Sequence, residues 1–338
     1  MNLRNQNMAV PKAPSTISLV QDFFLAPSLP DTLSLIRIAT GGMIAYIHLI
    51  WMSDLAAFMG PNALLNNETW RSLHSSPSAD YKWTYLAHTE SMGLIWSHEI
   101  IALLSGCLMA IGLGTRTMCL IAWFTTLMTT HRMTGLLFGL DQITIMLAMY
   151  LCLARPGDQW SVDRGLQHRF PALFLKHSWL SLLTGQSRTS GNGSEHSSAP
   201  PSCWTNTLAT RLMQLHLCVI YFFGGIGKLR GEMWWDGSAL WYTAASFEYQ
   251  SLDLTWIGYS PIFVSALTHI TLFWEVSYAA LVWPMKTRPW VLMIAVMVHA
   301  GIAIFLGMIT FGFMMIVCNF AFVPPAFVRY WAQRTSIN

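Results

Sequence analysis

Long apolar runs, separated by shorter polar stretches, dominate this chain of 338 residues. A helix needs about 20 mainly apolar residues to cross the hydrocarbon core of a bilayer. Only 10% of the residues are charged, against about 25% in a typical soluble domain, and 54% are hydrophobic. A water-soluble globular protein of this size could not bury so much apolar surface away from water. We therefore expect an all-α polytopic membrane protein, and no nucleic-acid partner, since a net charge of +3 is too small for a phosphate-binding surface.

Eight apolar runs predict about eight transmembrane helices within the lipid bilayer. Residues 1–32 would precede the first span, residues 33–325 would form the membrane domain, and residues 326–338 would form a C-terminal tail. The stretch 184–202, rich in Gly, Ser and Pro, is typical of a flexible linker. The eight runs are Leu33–Trp51, Leu94–Leu113, Met118–Thr130, Leu136–Leu153, Leu208–Ile226, Ile262–Trp283, Trp290–Leu306 and Ile309–Val323.

The distribution of Lys and Arg predicts the orientation, because cytoplasmic loops carry an excess of these residues. With a cytoplasmic N-terminus, twelve of the 19 Lys and Arg residues fall on the cytoplasmic side and five on the opposite side. Both termini are therefore expected in the cytoplasm, and the loop 52–91 and the loop after Ile226 are expected outside. The membrane would be the inner or plasma membrane of a bacterium, or the endoplasmic reticulum of a eukaryote.

Ten ionisable residues lie within the candidate spans, where each is costly to bury and is therefore a functional candidate. The competing explanation is structural, because such groups often pair between helices and only fix their packing. For a single residue taken alone, the structural explanation is the commoner one. No metal site is expected, since His98 and Glu99 lack the second histidine of a zinc-binding helix. The ten are Arg37, His48, His98, Glu99, Asp141, Arg211, His216, His269, Glu275 and His299.

The fifth candidate span carries the most distinctive pattern. Gln214, Tyr221 and Lys228 are seven residues apart, which places them on nearly one stripe of a helix. Gly224 and Gly225 expose the backbone beside the lysine, so that either a neighbouring helix or a flat ligand can approach.

Trp234 follows shortly after Lys228. An amine among apolar, glycine and tryptophan residues would be partly desolvated, and desolvation disfavours its charged form and so allows it to act as a base. The alternative is a lysine that reaches back to the membrane interface, flanked by interfacial tryptophans. From the residues alone, the second explanation is slightly favoured.

The segment from Tyr221 to Gly237 resembles the signature of the vitamin K-dependent γ-carboxylase family, whose membrane portion is the HTTM (horizontally transferred transmembrane) domain. The family pattern Y-F-x-x-G-x-x-K-L, followed by W-x-[DE]-G, matches Tyr221–Leu229 and Trp234–Gly237. The resemblance covers roughly residues 30–325. Four further features are similar and occur in the same order: Leu33–Gly41 with its arginine, Gly112–Arg116, Trp160–Asp163 and His299.

In that family, a lysine at the position of Lys228 deprotonates vitamin K hydroquinone. O2 then converts the quinone into a strong base, and this base removes a glutamyl proton before CO2 is captured. The resemblance implies a carbon–carbon lyase with a reduced quinone as cofactor, O2 and CO2 as co-substrates, and a peptide or protein substrate. The implied site residues are Lys228 and His299 as catalytic groups and Tyr221, Gly224, Gly225 and Trp234 as quinone-binding residues.

Two features depart from the family. The span that begins at Leu136 lacks the histidine that the animal enzymes carry there, and no large domain for docking protein substrates is expected after the last span. Two other functions stay open: a non-catalytic HTTM protein of assembly, maturation or immunity, and a transporter whose buried charges line a pathway. In the carboxylase-like interpretation, Arg37, Asp141, Asp163 and Arg164 hold helices or loops together.

Overall fold

The computed structural model describes residues 15–75, 82–174, 183–184, 200–248 and 251–335. Within these ranges the regular secondary structure is helical and contains no β-strand, as expected for an all-α protein. Most of the predicted linker 184–202, together with residues 1–14 and 336–338 of the predicted terminal segments, lies outside the described residues.

Eight principal helices overlap the eight apolar runs of the sequence. They are α1 Asp31–Met52, α2 Met92–Ile111, α3 Thr115–Arg132, α4 Gly139–Leu153, α5 Trp204–Leu229, α6 Pro261–Leu281, α7 Arg288–Phe305 and α8 Ile309–Asn319. Shorter α-helices in the described ranges are Thr16–Leu25, Leu55–Met59, Asn67–Leu73, Val162–Arg169, Glu232–Trp235, Ala239–Ala244 and Pro325–Thr335.

Five helices, α1, α2, α5, α6 and α7, are long and apolar enough to cross a membrane. The segment Ile309–Phe322 passes the same test only together with Pro325–Arg334, from which it is bent by 109°. Helix α4 has only 15 residues. Helix α3 is less apolar than the five, because it contains several threonines and has basic side chains near both ends. Length and composition therefore support five or six crossings among the described helices, fewer than the eight predicted from apolar runs.

Glycines bring α1 and α2 into close contact. A Cβ atom on Gly41 would lie 2.6 Å from the backbone nitrogen of Ala110, and one on Gly106 would lie 2.8 Å from that of Ala45. Helices α5 and α6 form a second close pair, and α7 and α8 form a third. Helix α4 contacts α1, α3, α5 and α8, so it lies at the centre of the bundle.

Arg37 joins α1 to the C-terminal end of α2. Its guanidinium is fully buried. Nη1 donates to the carbonyl oxygens of Met109 and Ala110, at 2.5 and 2.9 Å, and Nη2 donates to that of Trp160, at 2.7 Å. The last carbonyls of a helix have no partner within it and carry partial negative charge, so a buried cation is well placed there. These contacts agree with the structural role predicted for Arg37.

Asp163 caps the start of α3. Its carboxylate accepts hydrogen bonds from the backbone nitrogens of Gly114 and Thr115, each at 2.8 Å, and from the Thr115 hydroxyl at 2.7 Å. Gly114, at the N-cap position, has no side chain to make these bonds. The stretches Gly112–Arg116 and Trp160–Asp163 therefore form one junction with Arg37.

An ion pair joins the two ends of the membrane domain. Both carboxylate oxygens of Asp31, which is fully buried, accept from the guanidinium of Arg329, at 3.1 and 2.8 Å. The start of α1 and the helix Pro325–Thr335 therefore lie at the same end of the bundle. The described parts of the predicted terminal segments contain the helix Thr16–Leu25 and most of the helix Pro325–Thr335.

We expect Asp163→Ala to destabilise the fold, because it leaves two backbone N–H groups of α3 without their acceptor. Loss of an N-cap side chain costs about 0.5–2 kcal/mol, and hydrogen bonds to charged groups are worth about 1.5–3 kcal/mol. The melting temperature of the detergent-solubilised protein should fall clearly. Asp54→Ala is the matched control, since Asp54 is an exposed N-cap residue without a side-chain capping bond. Equal melting temperatures for both variants would contradict the capping role of Asp163.

Candidate functional site

Lys228 pairs with an acidic residue of the neighbouring helix. Its Nζ atom, near the C-terminal end of α5, lies 2.6 Å from Oε2 of Glu275 in α6. The side chains are 28% and 13% exposed, respectively. The ring centroid of Trp234 lies 5.4 Å from the same Nζ atom. The amine is therefore held by a carboxylate between two helices instead of extending to the interface.

Two glycines of α5 have different roles in this region. A Cβ atom on Gly225 would lie 2.8 Å from Cγ2 and 3.1 Å from the backbone nitrogen of Val276, so Gly225 is needed for close packing of α5 against α6. A Cβ atom on Gly224 would come no closer than 3.8 Å to Glu275 and 3.9 Å to Lys228. Of the two predicted ligand-binding glycines, only Gly224 borders the ion pair.

A second group of polar side chains lies along the same helices. The Tyr221 hydroxyl is 2.6 Å from Nε2 of His299, and Nδ2 of Asn319 donates to the same hydroxyl at 3.1 Å. The Tyr278 hydroxyl donates to Oδ1 of Asn319 at 2.7 Å. All four residues are buried, and they come from α5, α6, α7 and α8.

The chemistry of these bonds determines their direction. Nδ2 of Asn319 also donates to the carbonyl oxygen of Met315, which can only accept, so the amide orientation is fixed. Tyr221 therefore accepts from Asn319 and has one hydrogen left, which it donates to Nε2 of His299. A neutral His299 then carries its own hydrogen on Nδ1.

Nδ1 of His299 is buried and has no hydrogen-bond partner among the described residues. Buried donors are almost always paired, so an unpaired one calls for a ligand or a water molecule. The rings of Trp274 and Phe311 flank the imidazole, with centroids 6.3 and 6.2 Å away. Lys228 lies seven residues, about two turns, after Tyr221 on the same helix. We call Lys228, Glu275, Tyr221, His299 and Asn319 the Lys228–His299 site.

The structure brings together most of the residues that the sequence singled out. Lys228, Tyr221, His299, Gly224 and Trp234 lie in or beside the Lys228–His299 site, whereas Gly225 packs helices. Glu275 was only one of ten ionisable candidates, and nothing in the spacing paired it with the lysine. Asn319 and Tyr278 were missed. A lone amide at the end of an apolar run is the signal that could have indicated Asn319.

A separate cavity of about 660 Å³ lies between the loop after Lys228 and the start of α6. It is lined by Asp236, Trp241 and Tyr259, among others, and by none of the predicted catalytic residues. Hydrogen bonds from the hydroxyl and the amide of Ser238 lower the pKa of Asp236. In the described ranges, no three His, Cys, Asp or Glu side chains are arranged to hold a metal ion.

Comparison of the chain with protein-family models, with characterised proteins and with solved structures gave no match. The resemblance to the γ-carboxylase family therefore stays a prediction that depends on the motifs quoted above.

We expect Gly225→Ala to destabilise the α5–α6 pair, since the added methyl group would overlap Val276. Overpacking of this kind typically costs about 1–3 kcal/mol. Gly224→Ala is the matched control on the adjacent residue, where the methyl group has room, and it should leave the melting temperature nearly unchanged. Thermal unfolding of both variants in detergent tests this, and a Gly225→Ala variant as stable as the wild type would contradict close helix packing at Val276.

Proposed function

We propose that this chain is an integral membrane protein with eight spans and both termini in the cytoplasm. The Asp31–Arg329 ion pair supports an even number of crossings. It shows that the start of α1 and the C-terminal helix lie at the same end of the bundle. Five crossings would put these two residues on opposite sides of a membrane.

Contacts at the ends of α3 and α4 support crossings by these two helices as well. At one end of the bundle, the Ser34 hydroxyl at the start of α1 donates to the carbonyl of Pro156, which follows α4, at 2.9 Å. At the other end, Nη2 of Arg132 in the last turn of α3 donates to the carbonyl of Leu65 in the loop after α1, at 2.6 Å. A short or polar helix can cross where other helices surround it, as they surround α4.

Cysteine labelling from the two sides of the membrane tests this topology. Tyr259 before α6 and Met285 between α6 and α7 are 91% and 83% exposed. In sealed cells, an impermeant maleimide should label Tyr259→Cys from outside and label Met285→Cys only after permeabilisation. The unsubstituted protein measures background labelling of the native cysteines, of which Cys107 is exposed. The reverse pattern would invert the orientation, and equal labelling of both would contradict eight spans.

We further propose that the Lys228–His299 site takes a proton from a lipophilic hydroxyl compound, a reduced quinone in the function that the resemblance implies. The observation that carries this proposal is the buried Nδ1 donor of His299, which has no protein acceptor and is flanked by aromatic rings. A quinol oxygen would satisfy this donor, and its ring would suit the apolar surroundings.

Proton transfer within the Lys228–Glu275 pair would make the amine of Lys228 neutral. Moving one proton from Nζ to the carboxylate 2.6 Å away converts two partly buried charges into two neutral groups. Low-dielectric surroundings favour the neutral pair more than water does. Trp234 opposes the shift, because its ring face stabilises the ammonium by about 0.5–1 kcal/mol. Lys228 can then accept a proton from a bound hydroxyl, while Tyr221 and Asn319 hold His299 in the donor tautomer.

When bound, a reduced quinone would supply, together with O2, the driving force for carboxylation of a glutamyl or other substrate by CO2. This coupled reaction depends on the family resemblance alone, whereas the proton transfer is argued from the contacts of Lys228 and His299.

Lys228→Arg tests the base directly. Arginine keeps the positive charge and can pair with Glu275, but it does not release its proton in proteins. Removing general-base catalysis typically lowers a rate by about 10²–10⁴-fold. We expect a loss in this range when purified wild-type and variant proteins oxidise a reduced quinone, with folding checked by thermal melting. Lys286→Arg, at an exposed loop position, is the control and should retain full activity.

The outcomes separate the three functions. Equal turnover by Lys228→Arg and wild-type protein would exclude Lys228 as the base. Absence of turnover in both, with a quinone that still co-purifies and is detected by mass spectrometry, would favour a non-catalytic quinone-binding protein. Absence of both turnover and bound quinone would favour a transporter or an assembly factor.

A further inference from the structure

A chain of six polar side chains crosses the first half of the bundle, away from the Lys228–His299 site. It connects α1, α2 and α3 with the short turn Tyr85–His88 that precedes α2. Five of its members are no more than 3% exposed, and only Tyr85 is half-buried. We call it the Glu99 cluster, and its members are Tyr85, His98, Thr129, Glu99, His48 and Thr126.

Continuous hydrogen bonds join the members of the Glu99 cluster. The Tyr85 hydroxyl contacts Nδ1 of His98, whose Nε2 lies 2.8 Å from the Thr129 hydroxyl. Thr129 donates to Oε1 of Glu99 at 3.2 Å. On the other side, Oε2 of Glu99 lies 2.6 Å from Nδ1 of His48. Nε2 of His48 is 3.1 Å from the Thr126 hydroxyl, where the cluster ends.

With Glu99 ionised and both histidines neutral, the direction of every one of these bonds is fixed, because a carboxylate only accepts. Thr129 has a single hydrogen and donates it to Glu99, so His98 must donate from Nε2 to Thr129. Nδ1 of His98 then accepts from Tyr85. Nδ1 of His48 donates to Glu99, and its Nε2 accepts from Thr126. In this arrangement all donors point toward Glu99.

Glu99 is thus a buried carboxylate without a lysine or arginine partner in the described part of the chain. Its ion-pair contacts among the described residues are with the two histidines, at 2.6 Å for His48 and 3.7 Å for His98. An unpaired buried charge is costly, and one added proton removes it. If the cluster served only to pack helices, hydroxyl and amide side chains could form the same hydrogen bonds between helices without the cost of burying a carboxylate charge.

The half-buried Tyr85 is the end of the cluster nearest to water. It lies in the loop 52–91, which the charge distribution predicts to be outside the cytoplasm. Burial, and to a smaller extent the charge of Glu99, raise the pKa of Tyr85, so that its hydroxyl stays a donor. At the other end, Asp141 at the start of α4 is close enough to interact with His48.

We propose that Glu99 is a proton-binding site that is loaded from the outer face through Tyr85, His98 and Thr129. Tyr85 takes up a proton from water and passes its own hydrogen to Nδ1 of His98. His98 passes its Nε2 hydrogen to Thr129, and Thr129 passes its hydrogen to Glu99. The net change is one proton gained at Glu99, with every hydrogen bond of this branch reversed and no group left unpaired. This site does not depend on quinone chemistry at Lys228.

Infrared spectroscopy of the full-length protein in lipid nanodiscs tests the proposal. After a rapid drop in pH, the carbonyl band of a buried protonated carboxyl group should appear. Glu99→Gln should remove this band, whereas Glu275→Gln should keep it. Absence of a carbonyl band that depends on Glu99 would overturn the proposal. That result is also expected if the added proton binds His48 and Glu99 stays ionised.

The route is tested at Thr129 with two variants of similar size. Thr129→Val removes the hydroxyl and interrupts the chain, and we expect the band to rise at least about tenfold more slowly. Thr129→Ser keeps the hydroxyl and should restore a rate near that of the wild type. If the valine variant takes up the proton as fast as the wild type, the route through His98 and Thr129 is wrong. This comparison also serves if Glu99→Gln fails to fold.

Discussion

Polar side chains inside an apolar bundle find no water there, so each must bond to another part of the protein or to a ligand. At the junction of α1, α2 and α3, Nη1 of Arg37 bonds the last carbonyls of α2, and the carboxylate of Asp163 bonds the first amides of α3. This junction sets the relative positions of the three helices that carry His48, Glu99 and Thr129.

The two polar centres satisfy the same requirement differently. In the Glu99 cluster, every hydrogen has an acceptor, and the remaining cost is a carboxylate charge that a proton can remove. In the Lys228–His299 site, the charges are paired, and the remaining cost is one unpaired donor, Nδ1 of His299. The first arrangement suits the uptake of a proton, and the second suits the binding of a ligand oxygen. Helix α4 lies between them, with Asp141 toward His48 and Gly139 against Phe311.

Much of the helical architecture could be predicted from apolar runs, because a run of about 20 apolar residues has few other stable conformations. The length and composition of the helices support fewer crossings than the apolar runs predict, since α3 is too polar and α4 too short to qualify alone. For the site, the spacing of Gln214, Tyr221 and Lys228 indicated one helical stripe. Their contacts with Ala321, Asn319 and Glu275 agree with it.

The sequence by itself determined the helical class, the stripe on α5 and the set of ionisable residues in apolar surroundings. These are local properties, set by composition and by the period of the helix. Only the tertiary structure decided which of these residues meet. Glu275 reaches Lys228 across 47 positions, and His299 reaches Tyr221 across 78. Such pairings depend on how the helices pack, and packing is governed by glycine contacts and buried hydrogen bonds between segments far apart in the chain.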